Sequence, residues 1–174
     1  MNIDLVSVGT GNNHAYVHTY QKYAMRGDFD IQVDFDLVNF PNAEECFAYL
    51  EIVNYVTSGV KPSEEARTVI QYRNGNRQYG GEIRHNGSPS LLEGTGSYAA
   101  TSDNTGKLRV TRVGTTANTY YWNGSSWTLL ESGTIGLSDM YVVLWVSSTD
   151  NGPEPSVNFD NLVVNGADAV IHFL

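Results

Sequence analysis

The chain has 174 residues, 10 Lys and Arg against 19 Asp and Glu, a formal net charge of −9 and a pI near 4.7. That balance excludes nucleic acid as a partner, because such binders draw affinity from clustered Lys and Arg, and the longest basic grouping here is Arg73, Arg77 and Arg84, diluted by Asn and Gly. No apolar run reaches the roughly 18 residues of a membrane-spanning helix, and a charged fraction of only 17% beside abundant Gly, Ser, Thr, Asn and Tyr points to a β-rich protein of the cell exterior.

The size predicts one domain over residues 1–174, with a core that buries roughly 70% of the unfolded surface. The opening MNIDLVSVGTG has neither a basic n-region nor a long apolar h-region, so no leader is visible in this chain. The expected location is extracellular or cell-surface. Cys46 is alone, between Glu45 and Phe47, and is expected to be a small buried hydrophobe rather than a nucleophile.

In chain order, HAYVHTYQKYAM (14–25) is β-branched and aromatic. DFDIQVDFDL (28–37) alternates strictly, with Phe29, Ile31, Val33, Phe35 and Leu37 on one parity and Asp28, Asp30, Gln32, Asp34 and Asp36 on the other. That is a half-buried strand. CFAYLEIVNYV (46–56) is apolar on both parities, as in a strand covered on both faces. ARTVIQYRNGNRQYGGEIRHNG (66–87) predicts a hairpin turning at Asn74-Gly75. GKLRVTRVGTT (106–116) follows, then a second hairpin in NTYYWNGSSWTLL (118–130), the apolar strand MYVVLWVSST (140–149), and SVNFDNLVV (156–164) and AVIHFL (169–174). PNAEECF (41–47) and KPSEEAR (61–67) carry helix-start residues sufficient for one turn each. Strands every 10–14 residues or so, separated by Gly, Asn, Pro and Ser, predict an antiparallel sandwich or barrel.

The order GDFDIQVDFDLVNFP, AYLEIVN, RNGNRQYGGEIR, GKLRVTRVGTTANTYYWNGSSWTLL, VNFDNLVVNG resembles the concanavalin A-like lectin/glucanase superfamily over about residues 14–166. The resemblance implies an all-β jelly roll of two packed antiparallel sheets, one of them concave, in a superfamily whose members bind glycans, cleave them, or serve as adhesion and spacer modules. Fold alone does not choose among these roles.

The aspartate row is read first as a solvated face. Same-face neighbours on a strand stand about 7 Å apart, where unit charges in water repel by only about 0.6 kcal/mol. Asp28 and Asp30 from this row, Asp150 in STDNGPE and Asp160 in VNFDNLVV are the candidate oxygen donors for calcium, which takes six to eight such ligands. The histidines His14, His18, His85 and His172 show no metal spacing. No catalytic residue is assigned. The laminarinase-type motif E-x-D-x-E is absent, and a retaining glycosidase needs two carboxyl groups about 5–5.5 Å apart in unlike environments. E-I-R at Glu82–Arg84 resembles part of the R-x-E-x-R strand of alginate lyases, but Gly80 replaces the first Arg, and the Q-I-H and Y-F-K-A-G signatures are missing. A structural Glu–Arg pair on an exposed strand is the expectation there.

The aromatic cluster is the better lead. A turn at Gly124-Ser125 would set Trp122 opposite Trp127, on one face with Tyr120 and Leu129, while Tyr121 projects to the other. Aromatic planes of this kind stack on sugar rings while Asn, Asp and Arg bond hydroxyls; the competing reading is a cross-strand pair covering the core. Tyr72, Tyr79 and Tyr98 face the same choice between core and sugar. The sequons at Asn86 and Asn123 read equally as glycan acceptors and as turns. The candidate ligand-binding set is Tyr120, Trp122, Trp127, Tyr79, Glu82 and Arg84. The function that fits is a non-catalytic, lectin-like module for a glycan or polysaccharide. Its competitors are an assembly or adhesive subunit, meeting other copies of itself or a larger parent protein through MYVVLWV and AVIHFL, and, third, a polysaccharide hydrolase or lyase.

Overall fold

The structure, a computed structural model, describes residues 2–4, 13–18, 23–42, 45–54, 62–89, 97–148, 155–166 and 168–171. Among the described residues it is all β, and no helix is long and apolar enough to cross a membrane. The described residues form fifteen strands, numbered in chain order, in two main antiparallel sheets and a small ribbon. The six-stranded sheet runs β1 (Asn2–Asp4), β14 (Ser156–Asn165), β4 (Phe29–Asn39), β10 (Thr105–Val113), β11 (Thr116–Trp122) and β12 (Trp127–Thr134). The seven-stranded sheet runs β2 (Asn13–His18), β13 (Tyr141–Ser148), β5 (Cys46–Val53), β6 (Glu65–Arg73) and β7 (Asn76–His85), with β8 (Ser88–Pro89) and β9 (Tyr98–Ala100) both on β7. A small ribbon pairs β15 (Asp168–Ile171) with β3 (Tyr23–Arg26).

The alternation in DFDIQVDFD sets β4. Phe29, Ile31, Val33 and Phe35 are buried, while the aspartates and Gln32 face away from the core. They meet Cys46, Ala48, Leu50 and Ile52 of β5, Ala66 and Ile70 of β6, Tyr79 and Ile83 of β7, and Leu108 and Val110 of β10 in one core between the sheets. Each large apolar side chain buried this way contributes roughly 1.5–3 kcal/mol. Gly81 packs directly against Thr119 of the opposing sheet. A Cβ on Gly81 would stand 2.3 Å from Thr119 Oγ1, so only a glycine fits.

The turn at Asn74-Gly75 forms as its sequence predicts, with positive φ at both residues (51° and 79°) closing the β6–β7 hairpin. Cys46 is fully buried, as expected. The helical turns anticipated in 41–47 and 61–67 do not form in their described parts. Cys46 and Phe47 open β5, and Glu65–Arg67 open β6. Long-range ladder bonds and core burial outweigh weak local helix signals there. MYVVLWV forms β13, which lies between β2 and β5 with Val142, Val143 and Leu144 buried, so it offers no edge to another chain. Of AVIHFL, residues 172–174 lie outside the described residues, and the rest pairs with β3.

Arg112 breaks the apolar alternation of β10. It is fully buried over the Phe29 ring, and its guanidinium donates to the carbonyls of Gly27, Gly136 and Ser138. Burial pulls its pKa down against the opposing pull of Asp28 and Asp139. The arginine ties together the loops at one end of the sandwich.

Candidate functional site

The outward face of the seven-stranded sheet concentrates polar chemistry. Ladder registers align its side chains in rows: Tyr141, Val53, Glu65, Arg84; then Val143, Glu51, Arg67, Glu82; then Trp145, Tyr49, Val69, Gly80, Tyr98; then Ser147, Phe47, Gln71, Gln78. Rows on one face of a strand are about 7 Å apart. The face therefore passes from a charged end, across an aromatic middle, to an amide end.

At the charged end, two glutamates and two arginines close a ring. Arg84 donates from Nη1 to Glu65 Oε2 at 2.6 Å and from Nη2 to Glu82 Oε1 at 3.3 Å. Arg67 donates from Nη2 to Glu82 Oε2 and places Nη1 3.2 Å from Glu65 Oε1. Glu65 and Arg84 are 1% and 4% exposed despite lying on the outward side of their sheet. Two carboxylates and two guanidiniums balance, which is what permits so many charges out of water. Burial acts to lower the Arg67 pKa, but Glu65, Glu82 and Glu51 together hold it above the ordinary arginine value. Glu51, half-buried on β5, is the fifth member. Desolvation and the Glu65 charge hold its carboxyl well above the usual carboxylate range.

The aromatic middle is a stack. Tyr49 and Trp145 lie 4.2 Å apart at 13°, and Phe47 and Tyr49 5.7 Å apart at 18°. The Arg67 guanidinium stands 5.3 Å from the centre of the Tyr49 ring, so the ring and stack touch. Burial pushes the Tyr49 hydroxyl pKa up, against the pull of Arg67. Tyr98 lies across Gly80, where a Cβ would come within 2.8 Å of its ring, and it is 40% exposed. Solvent reaches Glu51, Arg67, Glu82, Trp145, Gln78 and Tyr98 on this face.

Of the residues singled out from sequence, Glu82, Arg84 and Tyr98 stand here, and the Glu–Arg pair differs from expectation in that Arg84 is buried and Glu82 half-buried within a ring rather than lying on an exposed strand. Tyr79 is not a ligand platform. It points into the core with no exposed surface, stacks on Tyr121 at 4.4 Å and donates its hydroxyl to Asp103, because its place on β7 is in phase with Ile83. Trp122 and Trp127 do pair, edge to face at 5.5 Å, with Tyr120 opposite Leu129 and Tyr121 packed on the core, but on the outward face of the other sheet. There Arg109 stands 5.3 Å from the ring centres of both Tyr120 and Trp127 and grips Asp30 at 2.6–2.7 Å.

Asp28 accepts from Gly114 N–H, and Asp160 accepts from Asn161 N–H, while Asp150 lies outside the described residues. Among the described residues no three His, Cys, Asp or Glu side chains are grouped to hold a metal ion. Asn86 and Gly87 both have positive φ, and Asn123 Oδ1 accepts from Ser125 and Ser126 N–H, so both sequons form tight turns. His85 faces away from Glu82 and bonds Glu64 at 2.9 Å.

Glu65, Arg67, Tyr49, Trp145 and Gln71 escaped sequence reasoning. One signal was available. A hairpin turning at Asn74-Gly75 pairs residues whose numbers sum to 149, which sets Glu65 against Arg84 and Arg67 against Glu82.

No family model matches the sequence, and no curated protein matches it. Solved structures do. The beta-glucanase of Bacillus licheniformis superposes with a TM-score of 0.58 at 12% identity, over 94% of this chain and 77% of that one. The legume lectin-like domain from Entamoeba histolytica gives 0.58 at 9%, over 92% and 82%. A carbohydrate binding module from Bacillus subtilis gives 0.51 at 9%, over 89% and 86%. At such identities the likeness is one of fold. The chain is built as a concanavalin A-like jelly roll.

Proposed function

We propose that this chain is a non-catalytic carbohydrate-binding module that works outside the cell, and that the outward face of its seven-stranded sheet is the binding surface. The observation that carries the reading is the charge-balanced Glu65–Arg84–Glu82–Arg67 ring set against the Trp145–Tyr49–Phe47 stack, with Tyr98 exposed beside them. Fixed polar groups beside aromatic planes suit a ligand that has hydroxyls on its edges and C–H groups on its faces. The fold neighbours, a lectin-like domain and a carbohydrate binding module among them, support the same reading.

Binding is preferred to cleavage on chemical grounds. Glu65 and Glu82 are each committed to both guanidiniums, so neither is a free nucleophile or base to complement Glu51. The test is a glycan and polysaccharide binding screen, run with calcium and again with EDTA, on the wild type and on Tyr98→Ala, Trp145→Ala and Trp127→Ala. Selective binding lost in the first two variants and kept in the third is the expected result. Loss in EDTA would assign a metal role to aspartates among Asp28, Asp30, Asp150 and Asp160, and silence across the panel would sink the reading.

An assembly role is the second reading. Leu162, Val163 and Val164 in succession on β14 are 39%, 36% and 45% exposed, an apolar stretch suited to contact with another copy. A concentration-dependent rise in solution mass without glycan would favour it.

A further inference from the structure

The ring leaves one carboxyl over. Glu65 and Glu82 balance Arg67 and Arg84, while Glu51 makes no ion pair with either guanidinium. Its ladder neighbours are Arg67 on β6 and Val143 on β13, with Glu65 the nearest carboxyl and Tyr49, Glu82 and Arg84 beyond. Glu65 Oε1, on a side chain 1% exposed, receives no hydrogen bond, because Arg67 Nη1 is close but misaligned. A proton on Glu51, donated to Glu65, answers both the surplus charge and the orphaned oxygen, and burial together with Glu65 favours that protonated form.

A second unpartnered group lies on the same face. Gln71 is 3% exposed, and its Nε2 has no acceptor. It stands six residues from Glu65 along β6, roughly 20 Å away at the strand rise. Between them lie Tyr49, Val69 and the Tyr98 ring. One end of the face lacks a cation or donor, and the other end lacks an acceptor.

We propose that the ligand of this face is a glycan carrying a free amino sugar, its ammonium seated against Glu51 and Glu65 and its chain running along β6 toward Gln71. The inference rests on the binding reading above and narrows it to a chemical class. On binding, the ammonium N–H groups donate to the two carboxylates, and the Glu51 proton leaves to solvent, so one proton is released for each site filled. A uronic acid would add a third anion, beside Glu65 and Glu82, against two guanidiniums. A neutral or N-acetylated sugar brings no charge to replace the proton.

The experiment is titration calorimetry at mildly acidic pH in two buffers of different ionisation heat. The probes are a fully deacetylated chitosan oligosaccharide, its N-acetylated counterpart and a cello-oligosaccharide of equal length. The expected result is at least tenfold tighter binding of the deacetylated probe, with about one proton released per site in the wild type. In Glu51→Gln, checked for folding by thermal unfolding, the preference should fall toward unity and the proton release should vanish. Equal affinity for the amine and its acetylated form, or no proton release by the wild type, overturns the proposal. Tyr98-dependent binding of the cello-oligosaccharide without any amine preference would overturn it while leaving the binding face intact. Absence of binding to all three probes would overturn both.

Discussion

The outward faces of the two sheets are made of the same materials and use them differently. On the six-stranded sheet, Asp30 pairs with Arg109 and Asp34 with Lys107, and the aromatics are Tyr120, Trp122 and Trp127. On the seven-stranded sheet, Glu65 and Glu82 share Arg67 and Arg84, and the aromatics are Phe47, Tyr49 and Trp145. The side chains of the first set of pairs are 24–43% exposed, whereas those of Glu65 and Arg84 are 1% and 5% exposed. Water screens the first set, so each pair there is worth little. Glu65 and Arg84 have little but the ring for solvation, so removing one strands the other. Similar residue types therefore yield a wet, locally paired surface on one side and an interdependent, largely buried network on the other.

The largest effect is expected of Arg84→Ala. It leaves Glu65 buried beside a single remaining guanidinium and is expected to cost about 3–5 kcal/mol in urea unfolding. A cost below about 1 kcal/mol would place the ring in the same class as the surface pairs.

Next in size is Gly81→Ala, where the new Cβ meets Thr119 and Leu130 between the sheets at 2.3 and 2.9 Å. Overpacking of this kind costs typically 1–3 kcal/mol. Its neighbour gives the control. In Gly80→Ala the closest contact is the exposed Tyr98 ring, which can swing aside, so stability should change less while glycan binding weakens.

Two glutamates should give pH dependences of opposite sign. Burial would raise the Glu64 pKa, but hydrogen bonds from His85, Gly136 N–H and Asn86 N–H outweigh it and hold it below the ordinary value. The stability Glu64 contributes is present above the unfolded glutamate pKa of about 4.3 and is lost as pH falls through its folded value. Glu51 is raised, so its contribution is full below about 4.3 and is lost as pH rises through its folded value. Unfolding midpoints across pH should show Glu64→Gln flattening the acid limb and Glu51→Gln flattening the decline on the other side.

The smallest effect expected is that of Arg109→Ala, up to about 1 kcal/mol and decreasing with salt, since its partners stay solvated.

Much of the fold was legible because period-two alternation is a local property. The β4 pattern, the Asn74-Gly75 hairpin and the Trp122–Trp127 pair could each be placed from fewer than 25 or so consecutive residues, as the hairpin and strand rules allow. The site was less legible because its parts come from strands that meet only in the fold. Glu51 stands beside Arg67 through the β5–β6 ladder, and Trp145 beside Tyr49 through β13, which arrives almost a hundred residues later in the chain. Tyr79 shows the limit from the other side. Its amphipathic ring suits core or ligand equally well, and only the phase of β7 against the opposing sheet turned it inward.

The amino-acid sequence by itself determined that this chain makes strands, where several of them turn, and which parity of each strand avoids water, because these follow from nearest-neighbour sterics and local burial patterns. Only the tertiary structure decided which outward face became a solvated surface and which became a buried, charge-balanced network. That choice depends on which strands become neighbours and on how much water remains between their side chains, and it alone separates Asp30 and Arg109 from Glu65 and Arg84.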